Sequence, residues 1–160
     1  MMRLYHGSNI RIDIPDIAHS KPFKDFGRGF YLSADKEQAW EMALQKVSQT
    51  QEGKAEVSEF LFDETVMTSE ELKVLIYPDY CEDWARFVLK NRSRNVPQLV
   101  HDFDIVYGPI ADDGVTYQLR RYEGGVISLS RLVEELRYAK GITFQYFFGT
   151  DRALKQLKRL

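Results

Sequence analysis

The chain has 160 residues, close to the roughly 150-residue prior for one domain. It is 44% hydrophobic and 29% charged with 10 Gly and 5 Pro, a composition that excludes disordered, collagen-like and disulfide-stapled classes. Lys and Arg number 22 against 24 Asp and Glu, a net charge of -2, so bulk charge supports no counterion-driven grip on a nucleic-acid backbone, although nucleic acid as a substrate is left open.

In chain order, Leu4 and Tyr5 open a short strand that stops at Gly7-Ser8-Asn9. Ile10, Ile12, Ile14 and Ile17 follow, broken by Asp and Pro15, which reads as a loop with apolar anchors. Phe26-Gly27-Arg28-Gly29 is a glycine turn entering a second strand, Phe30-Tyr31-Leu32-Ser33. From Asp35 the period changes: Ala39, Trp40, Ala43, Leu44 and Val47 fall at three-and-four spacing and predict a helix. Gln45 to Lys54 is a polar helix end and connection, and Val57 to Phe62 a third strand.

Trp84, Phe87, Val88 and Asn91 mark a second helix, introduced at Pro78-Asp79 and closing near Arg92. Ile105-Val106-Tyr107 is a buried strand running into Gly108-Pro109. Leu132, Val133, Leu136 and Tyr138 predict a further helix ended by Gly141. Ile142 to Phe148, bounded by Gly141 and Gly149, carries the strongest strand signal, and a basic helix from Asp151 is expected to finish the chain with Lys155, Lys158 and Arg159 on a solvated face. Strands and helices mix without regular alternation, so the expected class is α+β in one domain spanning 1–160.

Cys81 is the only cysteine and cannot close an internal disulfide, which suits a reducing compartment. The first residues lack the apolar stretch of a signal peptide and no run reaches membrane-helix length, so a soluble cytoplasmic protein is expected. His6, His19, His101 and Cys81 show no paired metal-ligand spacing, and no metal is assigned. The nucleophile elbow, the P-loop and the dinucleotide-binding glycine fingerprint are absent, because Gly27-Arg28-Gly29 runs straight into Phe30-Tyr31.

What remains is His6-Gly7-Ser8 ending the first strand and Gly29-Phe30-Tyr31 opening the second. Either piece alone reads equally as structure, a satisfied strand-end histidine and a core tyrosine. Together with Phe144-Gln145-Tyr146-Phe147 near the end, they resemble the ADP-ribosyltransferase fold, on the branch of the diphtheria-type toxins and poly(ADP-ribose) polymerases. In that branch a first-strand His-Gly-Ser, a second-strand Gly-x-Tyr and an acid on a late strand hold NAD. This chain departs from the pattern where Gln145 replaces the acid.

The resemblance implies a split β-sheet core with flanking helices and NAD as substrate. Gly7 is then expected to present backbone N–H and C=O to the nicotinamide carboxamide, with Ser8 or Ser33 as alternatives for that contact. His6 is expected to bond the adenosine-side ribose, Tyr31 to lie against the nicotinamide, and His6, Tyr31 and Gln145 to form the catalytic set. Because a shared site needs side chains on one sheet face, His6 and Tyr31 are expected to face one cleft, and side chains on opposite faces would count against the resemblance. Trp40 is a candidate second aromatic wall. Arg28, beside Gly29 in the glycine turn, either pairs with the pyrophosphate or is a surface arginine, and Asp112-Asp113 either points into the cleft or caps a solvated turn with Gly114.

The activity the resemblance implies is mono-ADP-ribosyl transfer from NAD to a macromolecular acceptor, protein or nucleic acid, with a bacterial toxin held by an antitoxin protein as the implied setting. NAD glycohydrolysis is the enzymatic alternative. A non-catalytic module that binds NAD, ADP-ribose or a partner is the alternative of another class.

Overall fold

The computed structural model describes residues 1–95, 100–138 and 141–160. Two sheets and five helices make an α+β architecture, counted among those residues. The first sheet has the order β1-β3-β7, from Met2–Ser8, Glu56–Phe62 and Leu157–Arg159, with both pairings antiparallel. The second has the order β2-β6-β5-β4, from Phe30–Leu32, Phe144–Phe148, Ile105–Pro109 and Val74–Ile76; only β4 and β5 run parallel. One isolated bridge, Tyr5 to Ser33, ties β1 to the end of β2 and so joins the two sheets.

The alternation of side chains along each strand sends them into two cores. Leu4, Phe60 and Phe62 of the first sheet meet Phe30, Leu32, Ile105 and Phe148 of the second in the layer between the sheets. The intervening residues of the second sheet, Tyr31, Val106 and Phe147, face the other way, onto the helices α2 (Glu82–Arg92), α3 (Asp113–Glu123) and α4 (Leu129–Tyr138). Trp84 anchors that second core, fully buried, with its indole N–H on the Pro109 carbonyl at 2.7 Å.

Helix α1 (Lys36–Thr50) starts where Asp35 accepts the Glu37 and Gln38 N–H groups and ends at Gln51, whose φ of 55° is left-handed. Its buried Ala39 and Ala43 lie against β1 at Gly7. A side chain on Gly7 would overlap the Ala39 carbonyl and come within 2.9 Å of the Ala43 nitrogen, so only glycine lets helix and strand approach this closely.

Two expectations are corrected. Asp112-Asp113 does not reach a cleft or cap a mere turn: Asp112 is the N-cap of α3, accepting the Val115 N–H at 2.8 Å, and both aspartates are exposed. The chain's end is not a basic helix. α5 is one turn, Asp151–Leu154, after which Leu157–Arg159 pairs with β3 as β7. Arg159 lies along that strand, donating to the Ile12 and Glu59 carbonyls at 2.8 and 2.9 Å, while its guanidinium sits 5.5 Å from the Phe60 ring. Among the described residues no helix is long and apolar enough to cross a membrane.

Candidate functional site where the two sheets part

The split between β1 and β2 organises the site. Tyr5 and Ser33 exchange two backbone hydrogen bonds of 2.8 Å. In an extended strand the N–H and C=O of one residue point to the same edge and alternate from residue to residue. Gly7, two residues past Tyr5, therefore turns its N–H and C=O toward the β2 side. The ladder does not continue there: no hydrogen bond joins Gly7 to Tyr31, the residue that antiparallel register would set opposite it. Instead the His6 ring spans the gap, with Nδ1 2.7 Å from the Tyr31 carbonyl oxygen. Gly7 is left partly exposed with a donor and an acceptor side by side on an open strand edge.

A carbonyl only accepts, so His6 Nδ1 carries the proton and donates it, and the other ring nitrogen, Nε2, is an acceptor. Burial lowers the His6 pKa to about 4; the bond to Tyr31 opposes this, while the Lys46 and Lys24 charges reinforce it. The imidazole is accordingly neutral at pH 7. It stacks on Phe30 with ring centroids 4.2 Å apart.

That stacking overturns the expectation that His6 and Tyr31 share a sheet face. Phe30 and Tyr31 are neighbours on β2 and point to opposite sides, so His6 lies on the Phe30 side. The Tyr31 ring enters the helix-covered core, 5.2 Å from the Phe147 ring and 6.2 Å from Phe26. Its hydroxyl donates to the Gly27 carbonyl at 2.7 Å and accepts the Phe26 N–H at 3.1 Å, and burial raises its pKa well above 10. Tyr31 is thus a core tyrosine whose main-chain carbonyl, and not its free ring face, meets His6. The expectation assumed one continuous sheet, whereas β1 and β2 belong to two, and the histidine fills the gap between their edges.

A second group of polar side chains lies beside Ser33. The pairing of β2 with β6 ends at Leu32–Tyr146, and Ser33 and Gln145 are the next residue along each strand. Gln145 is buried, and its amide nitrogen donates to the Met42 sulfur at 2.7 Å. Ser33 is buried too; its hydroxyl accepts the Asp35 N–H at 2.9 Å and donates to Gln38 Oε1 at 2.8 Å. Gln38 and Met42 are one turn apart on α1 and face this spot together.

The other expected residues fall elsewhere. Ser8 is buried at the end of β1 and contacts the neighbouring Asn9 side chain at 3.4 Å. Gly29 is buried; its N–H is held by Ser20 Oγ at 2.9 Å, and a Cβ there would meet the Phe147 ring and the Phe148 carbonyl, so this glycine serves packing. Arg28 is exposed, with no ion pair among the described residues. Trp40 is 47% exposed on α1, where with Lys36, Glu37 and Val57, the register partner of Gly7, it lines a cavity of about 540 Å³. Met42 is the α1 side chain that meets Gln145.

Sequence reasoning passed over Gln38, Met42, Lys46 and Lys24. Lys24 Nζ lies 5.1 Å from the Tyr31 ring centroid, and burial, then the neighbouring Lys46 and Lys21 charges, lower its pKa. Positions 38, 42 and 46 form a stripe at helical spacing, a signal hidden because only the apolar stripe of α1 was followed.

The family model described as Protein of unknown function (DUF3990) matches residues 2–159, and the chain belongs to that family. Comparison with curated proteins and with solved structures gives no match.

Proposed function

We propose that this protein has an ADP-ribosyltransferase-like core, cleaves NAD between nicotinamide and ribose, and passes the ADP-ribose to a macromolecular acceptor. The observation that carries the reading is the open edge at Gly7, where an N–H and a C=O lie side by side just past the point where the β1–β2 ladder stops and His6 bridges the gap. A primary carboxamide needs one donor for its oxygen and one acceptor for its nitrogen, and a single residue on a free strand edge supplies both.

This reading gives up Tyr31 as a wall, because its ring lies in the helix-covered core; the nicotinamide amide docks on Gly7 and His6 Nε2 accepts a hydroxyl of the adenosine-side ribose. Gln145, next to Ser33, holds the nicotinamide-side ribose. The bond from ribose carbon to nicotinamide nitrogen breaks with its electron pair leaving on the neutral nicotinamide. The oxocarbenium ion that remains is captured by an acceptor nucleophile, which loses its proton. A carboxylate about 4 Å from that cation would stabilise it by roughly 4 kcal/mol at an effective dielectric of about 20, and Gln145 forgoes this term. It keeps the orienting hydrogen bonds, so slow single-unit transfer without chain elongation is the expected activity.

Purified protein incubated with NAD labelled in the adenosine moiety, with and without cell lysate, tests the proposal. Label on protein or nucleic acid is the expected result. Nicotinamide release with only free labelled ADP-ribose would make the protein a glycohydrolase, and NAD binding without turnover a binding module, the reading that the missing acid favours. Gln145→Ala should abolish the residual activity and Gln145→Glu should preserve or raise it. Equal slow NAD consumption by wild type and Gln145→Ala would remove this residue from the chemistry.

A further inference from the structure

Gln38 is half explained by the fold. Its carbonyl oxygen accepts the Ser33 hydroxyl at 2.8 Å, and Ser33 in turn accepts the Asp35 N–H, so this half of the amide supports the N-cap of α1 through a relay. The other half has no such role: Gln38 Nε2 is buried and has no hydrogen-bond partner. A buried amide nitrogen without an acceptor is costly and rare in native folds. Across from it, Gln145 has its own nitrogen on the Met42 thioether, a weak acceptor, which leaves its carbonyl oxygen as an acceptor. Gln38 and Met42 lie one turn apart on α1, so the helix holds near each other the unspent N–H donor of Gln38 and the side chain of Gln145, whose amide oxygen is an acceptor.

We infer that Gln38 is a ligand-binding residue that works with Gln145 on one hydroxyl of the ligand, Gln38 Nε2 donating to the hydroxyl oxygen and Gln145 Oε1 accepting its proton. A hydroxyl is the group that requires one donor and one acceptor together. A carboxylate or phosphate oxygen would leave the Gln145 oxygen facing another acceptor. On the proposed function, on which this inference rests, the hydroxyl belongs to the ribose attached to nicotinamide. Two neutral amides then orient the sugar that an acid would otherwise hold.

Calorimetric titration with nicotinamide and with nicotinamide riboside separates the two subsites, because only the riboside carries the sugar. Wild type should bind the riboside more tightly. Gln38→Glu keeps an oxygen for Ser33 while removing the donor; Gln38→Leu removes both. Each should leave the nicotinamide Kd within about twofold and weaken the riboside by about five- to tenfold, the loss expected for one hydrogen bond. Equal weakening of both ligands, or of neither, would overturn the assignment while leaving the Gly7 subsite standing. Wild type that binds neither ligand would overturn the proposed function, and this inference with it. Unliganded Tm and near-UV dichroism identify a misfolded Gln38→Leu, in which case Gln38→Glu decides.

Discussion

Gly7 joins two demands at one Cα. The same residue that lets α1 approach β1 also offers the open-edge N–H and C=O, so its substitution is not a clean test of binding. Gly7→Ala places a methyl group into the Ala39 carbonyl, and the helix must retreat. Overpacking of this kind costs about 1–3 kcal/mol, and more where the obstacle is backbone. Chemical denaturation should show a loss at or above the upper end of that range, and a loss below about 1 kcal/mol would mean that α1 yields easily. His6 gives a pH signature of its own. Its pKa of about 4 lies below the unfolded 6.5, so the unfolded chain binds the extra proton first, and stability present above pH 6.5 drains away as pH falls toward 4. The full effect is about 3 kcal/mol. His6→Asn retains a side-chain N–H for the Tyr31 carbonyl without titrating, and its stability should fall less over that window. His101, whose pKa burial also lowers, keeps the remainder of the slope. Identical pH profiles for wild type and His6→Asn would show that His6 is not the buried neutral base described above.

Elements with a repeating period or a glycine boundary were legible, the three-residue β2 among them through its glycine turn, and elements with neither were not. β1, α1, β3, α2 and β6 follow from apolar alternation or helical spacing with a turn signal at one end. β4 and β7 have three residues each, too few to establish a period, and their pairing partners lie far along the chain. α3 was missed because Asp112-Asp113-Gly114 has turn composition; the same aspartate that suggests a turn is a good N-cap, and only Val115 and Leu119 four residues apart distinguish the two. The first-strand histidine and glycine were legible as a site, whereas the splay between β1 and β2 that turns Tyr31 inward is a property of two sheets meeting and leaves no local trace. Asp104 shows how the short elements are held. Fully buried at the head of β5, it takes bonds of 2.8 and 2.6 Å from Arg152, one from Thr150 at 2.5 Å, and the Lys73 N–H at 2.8 Å, tying α5 and the residue before β4 together. Burial alone would raise its pKa, but these donors outweigh it and bring it down to about 2. Asp104→Ala should cost about 1–3 kcal/mol, because the Lys73 N–H and the Thr150 hydroxyl lose their acceptor while Arg152, 56% exposed, returns to water, measured by urea unfolding. Its contribution is present above pH 3.8 and vanishes as pH falls toward 2.

At the scale of the whole molecule, the two cores divide the labour. The helix-covered core, with Trp84, Val88, Leu119 and Leu132, borders the site through Tyr31, whose carbonyl meets His6, while β1, α1 and the ends of β2 and β6 supply every group proposed to meet a ligand. A ligand lodged between the sheets should therefore stabilise one part of the chain selectively, because an amide exchanges through the local opening that frees it and a ligand suppresses only openings that break its own contacts. Hydrogen exchange with a saturating nicotinamide analogue should slow in Tyr5–Asn9, Tyr31–Lys46 and Phe144–Tyr146. Peptides from α3 and α4, Asp113–Glu123 and Leu129–Tyr138, should keep their unliganded rates. Protection confined to α2 and α4 would move the ligand to the cavity of about 410 Å³ lined by Cys81, Glu82, Ser130 and Arg137, and would end the reading of the sheet junction as a binding site. Uniform slowing everywhere would instead mean that exchange proceeds by global unfolding, and a destabilised background such as Asp104→Ala would then be judged by its global unfolding rate and not by local protection.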